Sequence, residues 1–314
     1  MSVVIVNPSS AGGSTGEAWP QIASDLRSQF GAFRVLFTKH RGDAAALANE
    51  AARKGAKFII ACGGDGTISE VANGILSSGK DVELGLLPSG TGGDFRRTLE
   101  IPSRTRDAAK ILRTGRTVRI DAGRVSYVDH NDTDATRYFV GVASCGMSTK
   151  VIERVKADHA SFASALLKTA MRNEPVRLVV QLDDSHEHHL VVSNLCIANA
   201  RYFGGGMKIA PDARLTDGKF DVVSVGDLSA LKIFTSAPRV YTGSHLSMPE
   251  VSHALARKIT VRAADRAAEV ALEVDGELPG RLPATFQIIP EALRVRVKVR
   301  QDLQAFAGFT RLIL

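Results

Sequence analysis

The 314-residue chain is short of cysteine, of aromatic residues and of long apolar runs, and each shortage closes a class of function. Its three cysteines, Cys62, Cys145 and Cys196, stand singly with no C-x-x-C pair. That spacing argues against a disulfide framework and a thiolate metal site, and leaves reduced thiols. Aromatics make up 6% of the residues and no block of Lys and Arg alternates with Tyr or Phe, so a base-stacking nucleic-acid surface is not expected. The longest apolar runs, such as "VVIV" near the start and "FIIAC", are far too short to span a bilayer. The opening "MSVVIVNPSS" has neither the basic region nor the long apolar core of a signal peptide, and a cytoplasmic location is the expectation.

What is present suits a soluble globular protein. At this length, and with 44% hydrophobic residues, two domains are expected. Lys and Arg outnumber Asp and Glu by 40 to 33, a net charge of +7 that favours anionic partners such as nucleotides or the anionic face of a membrane. The first ~125 residues alternate strands ("VVIVN", "RVLFT", "KFIIAC", "ELGLLP") with amphipathic helical segments, the pattern of a parallel sheet covered by helices. Beyond about Asp121 short strands with period-2 alternation prevail, which predicts an antiparallel β domain broken by one helix over 163–173. With no linker between the halves, the boundary reads as a hinge.

Three glycine-rich loops follow strands: "NPSSAGG" (7–13), "GGDGT" (63–67) and "LPSGTGGDF" (87–95). A strand that ends in glycines before a helix aims backbone N–H groups and a positive helix end at one spot, which holds a phosphate; the same glycines also serve a simple tight turn. Three such loops at parallel strand ends converge on one edge of the sheet, where open α/β folds bind ligands.

Taken in order, "NPSS", "GGDGTISEVANG", "PSGTGGDF", "IDAG", "NARYFGGGMKIAPDARLTDGKFDVV" and "VDGE" resemble the diacylglycerol kinase catalytic-domain family, in particular its small bacterial lipid kinases, over nearly the whole chain. The resemblance implies an α/β nucleotide-binding domain (1–124) of the NAD-kinase and diacylglycerol-kinase kind. A C-terminal antiparallel β-sandwich domain (125–300) would receive the lipid, and a final segment (301–314) would return to the first domain.

It further implies ATP as phosphate donor, with Asn7, Thr38, Gly63, Gly64, Asp65, Gly66, Thr67, Ile68, Ser69, Gly90, Thr91 and Asp121 around the nucleotide. Glu277 would be the general base, Asp94 a second catalytic acid, and Mg²⁺ would sit on the Asp217 carboxylate and the carbonyls of Arg214 and Lys219. Read without the resemblance, Asp65, Asp94 and Asp121 are also good turn or cap residues, Thr38 a strand-end cap, and "DGE" and "TDGK" plain hairpin turns. Where the family commonly has Asn, this chain has Ser69, Gly93 and Gly141, and its first loop carries no lysine.

The reading is an ATP- and Mg²⁺-dependent kinase for a lipid alcohol, peripheral to the inner membrane face, with no nucleic-acid partner and a homodimer left open. The alternatives are a kinase for NAD or another soluble alcohol, and a nucleotide-binding regulator without turnover. Two further stretches read as surface: "DDSHEHH" (183–189) as a hairpin turn rather than a metal tract, and Arg294, Arg296, Lys298 and Arg300 as one solvated face of a strand.

Overall fold

The computed structural model describes residues 2–90, 92–158, 164–165, 168–169 and 174–299. The four apolar runs form β1 (Ser2–Val6), β2 (Arg34–Phe37), β3 (Phe58–Gly63) and β4 (Glu83–Pro88), parallel in the order β2-β1-β3-β4. Every residue of β3 and β4 is buried, so these strands read as unbroken apolar runs rather than alternating ones. Between the strands lie α1 (Ser14–Phe30), α2 (Asp43–Arg53) and α3 (Asp65–Ser78), and α4 (Asp94–Thr98) and α5 (Thr105–Thr114) follow β4.

The second half contains β5 (Arg116–Asp129), β6 (Asp134–Phe139), β7 (Val142–Gly146), α6 (Met147–Asp158), β8 (Val176–Leu182), β9 (His188–Ala198), β10 (Phe220–Gly226) and α7 (Ala230–Thr242). It closes with β11 (Val251–Ala256), β12 (Lys258–Ala263), β13 (Ala271–Val274) and the long β14 (Glu277–Val297). These strands pair antiparallel around a core in which Phe139 stacks on Phe220, ring centres 5.5 Å apart, and meets Phe286 edge-on at 6.3 Å. The "DDSHEHH" stretch joins β8 to β9 as a hairpin connection, as expected.

Two strands span the boundary between the halves. β5 and β14 run beside each other from the second core into the first, with register shifts between Arg281 and Thr285 and between Ile289 and Leu293. The end of β14 pairs parallel with β4, and Leu293, Val295 and Val297 join the first core. The chain therefore returns to its first domain before residue 300. Residues 301–314 lie outside the described residues, as does most of the helix expected over 163–173.

Four helices escaped the sequence reading: α4 and α5 after β4, and α6 and α7 in the second half. α6 leaves β7 without a turn, and α7 contains Pro238 and carries apolar residues on its outer as well as its inner face, which blurs its periodicity. All three cysteines are free and buried, and burial pushes the thiols of Cys62 and Cys145 up to about 12.

The basic run 294–300 is not simply a solvated face. Arg296 bridges to buried Glu83 through Nε–H to Oε1 at 2.5 Å and Nη2–H to Oε2 at 2.9 Å, and its guanidinium lies 5.0 Å from the Phe58 ring centre. Thr117 donates to the same carboxylate at 2.7 Å, and Arg294 reaches it at 3.7 Å. Burial raises the Glu83 pKa, but the Arg296 and Thr117 bonds outweigh it and the net shift is downward. Since the folded pKa lies below the unfolded one, this stabilisation is present above the ordinary glutamate range and is lost as pH falls through the folded value. Glu83→Ala, which strands Arg296 at the seam between β4 and β14, is expected to cost about 3 kcal/mol at neutral pH. Urea unfolding at pH 7 and at pH 3 checks this: the gap from wild type narrows at the lower pH.

Candidate active site

The site forms where the loops after β1, β3 and β4 meet. Asn7 Nδ2 donates to Thr67 Oγ1 at 3.0 Å, which ties the first loop to the second. The hydroxyls of Ser10 and Thr15 reach the Ser89 carbonyl at 3.1 and 2.8 Å, which ties the first to the third. Gly64 and Gly90 touch backbone to backbone: a Cβ at Gly90 would lie 2.6 Å from Gly64 Cα, so no side chain fits there. Thr38, at the end of β2, is buried and donates its N–H to the Val6 carbonyl at 2.9 Å. Thr91 lies outside the described residues.

α3 starts at this junction with Gly64 as its cap, and no side chain satisfies its first turn. The first helical bond runs from Ile68 N–H to the Gly64 carbonyl at 3.1 Å. The N–H groups of Asp65, Gly66 and Thr67, which have no helical partner, are therefore the donors that the positive helix end presents among the described residues. Ile68, expected near the nucleotide at the start of this helix, spends its N–H within the helix; it is buried and lies along the cleft described below. Asp65 turns its carboxylate onto the start of α4, accepting from Gly93 N–H at 2.6 Å and Phe95 N–H at 3.2 Å. Gly93 occupies this cap position at φ 74°, in the left-handed region.

A cleft of about 520 Å³ separates the loops from the second domain. Asp65, Gly66, Ser69 and Asp94 line one wall; Val140, Val142, Ile152, Val155 and Phe203 give the other an apolar surface; Glu273, Asp275 and Glu277 close it. Asp94 pairs with Arg97 at 2.9 Å and accepts from Gly205 N–H at 2.8 Å. Burial, with Asp65 as a neighbouring charge, raises the Asp94 pKa, partly opposed by the Gly205 N–H and Arg97.

Glu277 arrives on a two-residue hairpin. Val274 pairs with Glu277 across Asp275 (φ 51°) and Gly276 (φ 82°), the two left-handed residues of a type I′ turn. The hairpin seats on the first domain through Asp275, which accepts from Ser69 Oγ at 2.8 Å, Gly141 N–H at 2.9 Å and Val140 N–H at 3.2 Å. Burial nevertheless raises the Asp275 pKa. Glu277 then faces the start of α3: a Cβ added to Gly66 would stand 3.9 Å from its Oε1. Arg41, 60% exposed on the loop after β2, forms an ion pair with it.

Asp121 is displaced from the expected role. It sits inside β5 rather than beyond a strand, buried, and does not line the cleft. Its two oxygens accept from Gly218 N–H at 2.7 Å and Glu291 N–H at 2.8 Å, so it clasps the 214–219 turn. In that turn Asp217 accepts from Lys219 N–H at 3.1 Å. Among the described residues no three His, Cys, Asp or Glu side chains gather as a metal cage. A cation here would rest on the Asp217 carboxylate and main-chain carbonyls, an all-oxygen donor set that fits Mg²⁺ or Ca²⁺.

With this geometry in place, residues 1–125 match the family described as diacylglycerol kinase catalytic domain, and residues 141–297 match the YegS C-terminal NAD kinase beta sandwich-like domain. The chain belongs to the diacylglycerol kinase catalytic-domain family. Within the family it is 31% identical over 268 residues to a diacylglycerol kinase of Staphylococcus haemolyticus (82% of this chain, 77% of that one). It is 30% identical over 244 residues to a diacylglycerol kinase of Mycobacterium tuberculosis (71% and 76%), and 34% identical over 241 residues to a YegS-like lipid kinase of Cronobacter sakazakii (72% and 73%). A solved diacylglycerol kinase structure from Bacillus anthracis shares the fold, with a TM-score of 0.71 at 22% identity over 95% of this chain and 96% of that one. As a member of this kinase family the chain is a phosphotransferase with an alcohol acceptor.

Sequence reasoning missed Asp275 and Arg41. Aspartate in a type I′ turn is ordinary, so nothing in "VDGE" distinguishes a turn residue from an anchor 206 positions away in sequence from its Ser69 partner. Two of the family departures, Ser69 and Gly141, meet at this anchor: a Cβ at Gly141 would lie 2.6 Å from Asp275 Oδ1. Gly141→Ala is therefore expected to unseat the hairpin at a cost of about 1–3 kcal/mol, against about 1 kcal/mol for Ser69→Ala. Denaturant unfolding of both variants gives that order; a neutral Gly141→Ala would contradict the seating.

Proposed function

We propose that the protein transfers the γ-phosphate of ATP to the hydroxyl of a lipid alcohol of the diacylglycerol class, with Glu277 as general base. The observation that carries this reading is the position of the Glu277 carboxylate opposite the start of α3, across a cleft with one apolar wall.

The N–H groups of Asp65, Gly66 and Thr67 receive the terminal phosphates, with Asn7, Gly63, Gly64 and Gly90 shaping the backbone around them and Thr38 and Thr91 beside the nucleotide. Ser69 acts through Asp275, since its hydroxyl is committed to that carboxylate. Glu277 accepts the proton of the lipid hydroxyl as its oxygen bonds to the γ-phosphorus, and the bond from that phosphorus to the bridging oxygen breaks to release ADP. Asp94 is a positioning residue: through Gly205 it holds the second domain against the loop after β4. Asp217 with the carbonyls of Arg214 and Lys219 would hold a Mg²⁺ that would stiffen the turn Asp121 clasps, and Mg²⁺ bound with the nucleotide would supply charge neutralisation at the triphosphate.

Apolar side chains along the cleft favour a lipid over NAD or another soluble alcohol. Transfer of labelled phosphate from ATP with Mg²⁺ to detergent-dispersed diacylglycerol, glycerol and NAD tests the reading. Lipid alone is expected to be labelled, and Glu277→Gln to lower kcat about 10²–10⁴-fold while ATP affinity stays within about threefold. Labelling of the soluble alcohols only would overturn the lipid assignment. Full activity of the variant would remove Glu277 as base, and ATP binding without product from wild type would leave a nucleotide-binding regulator.

A further inference from the structure

α7 is the least conventional element of the second domain. Leu231, Phe234 and Tyr241 are 73%, 60% and 46% exposed, and with exposed Pro238 they recur every three or four residues along one outward stripe. Ile233 and Val240, on the opposite side of the helix, line an apolar cavity of about 100 Å³ with Met207 and Leu228. The apolar arc of α7 is thus wider than the part the protein covers, which marks an interaction surface rather than a core helix.

Two observations say what covers it. Arg239 is exposed and flanks the stripe on its polar side, as does Lys232 seven residues earlier, whose ammonium is ion-paired with Glu250, and the protein as a whole carries +7. Apolar residues bordered by cations fit a helix lying in the headgroup plane of an anionic bilayer. The second observation is continuity with the cleft: Ser148 and Phe203 line both the cavity beneath α7 and the catalytic cleft. The stripe therefore lies on the helix that covers a cavity adjoining the catalytic cleft.

We propose that the outer face of α7 docks the protein on an anionic lipid bilayer. The proposal rests on the lipid-kinase reading and names the membrane-facing surface of that enzyme. Leu231, Phe234 and Tyr241 enter the interface while Arg239 extends toward lipid phosphates.

The test uses the full chain, with sedimentation against vesicles of phosphatidylcholine alone and of phosphatidylcholine with one third phosphatidylglycerol. Wild type is expected to favour the anionic vesicles, and Leu231→Ser with Phe234→Ser to lower that partition by about tenfold or more. Arg239→Gln is expected to weaken binding to the anionic vesicles alone. Activity on a short-chain, monomeric diacylglycerol stays at the wild-type level in these variants, because the stripe does not line the cleft. Unchanged vesicle partition in the double variant would overturn the docking surface, and so would loss of a dimer in its place, which would assign the stripe to a second copy of the chain. Vesicle binding that depends on the stripe, in a protein that phosphorylates no lipid, would sink the kinase reading and leave the docking surface standing.

Discussion

The site depends on one half-buried carboxylate. Asp275 stands at the tip of a hairpin in the second domain and accepts hydrogen bonds from Ser69 on α3 and from the backbone of Val140 and Gly141. A buried carboxylate without partners is costly, and three donors converging on one group fix its position in all directions. Glu277, two residues on, inherits that position, and its distance from the start of α3 is set by Asp275 rather than by the domain boundary.

The rest of the architecture serves the same constraint. β5 and β14 cross from one core to the other without a break, so the second domain is continuous with the sheet that carries the phosphate loops. The Glu83–Arg296 cluster clamps β14 to β4 at the far end of that path. At the cleft the charge balance is acidic despite the basic chain: Asp65, Asp94, Glu273, Asp275 and Glu277 all line it. A triphosphate entering such a cleft would need compensation from the α3 start and from a divalent cation.

The parallel half was legible because a strand buried on both faces is an apolar run, and because backbone meeting backbone leaves glycine in the sequence, as at Gly64 and Gly90. The "DGE" turn was legible too, since a two-residue connection of this kind favours Asp-Gly. Long-range partners were not. Arg296 alternates with valine like any surface strand residue until β4 brings Glu83 beneath it. Asp121 looks like a turn acid until β5 is seen to run through it, and α7 hides because its outer face is as apolar as its inner one. Each of these depends on an element elsewhere in the chain, which local pattern does not encode.

The central claim is that the phosphoryl group and the base face each other between α3 and the Asp275 hairpin. A crystal structure with a non-hydrolysable ATP analogue and Mg²⁺ tests it most directly. The account predicts the γ-phosphate against the N–H groups of Asp65, Gly66 and Thr67, with the Glu277 carboxylate across the remaining gap where a lipid hydroxyl fits. A triphosphate bound elsewhere, or a Glu277 turned away from it with the Asp275 anchor intact, would contradict it.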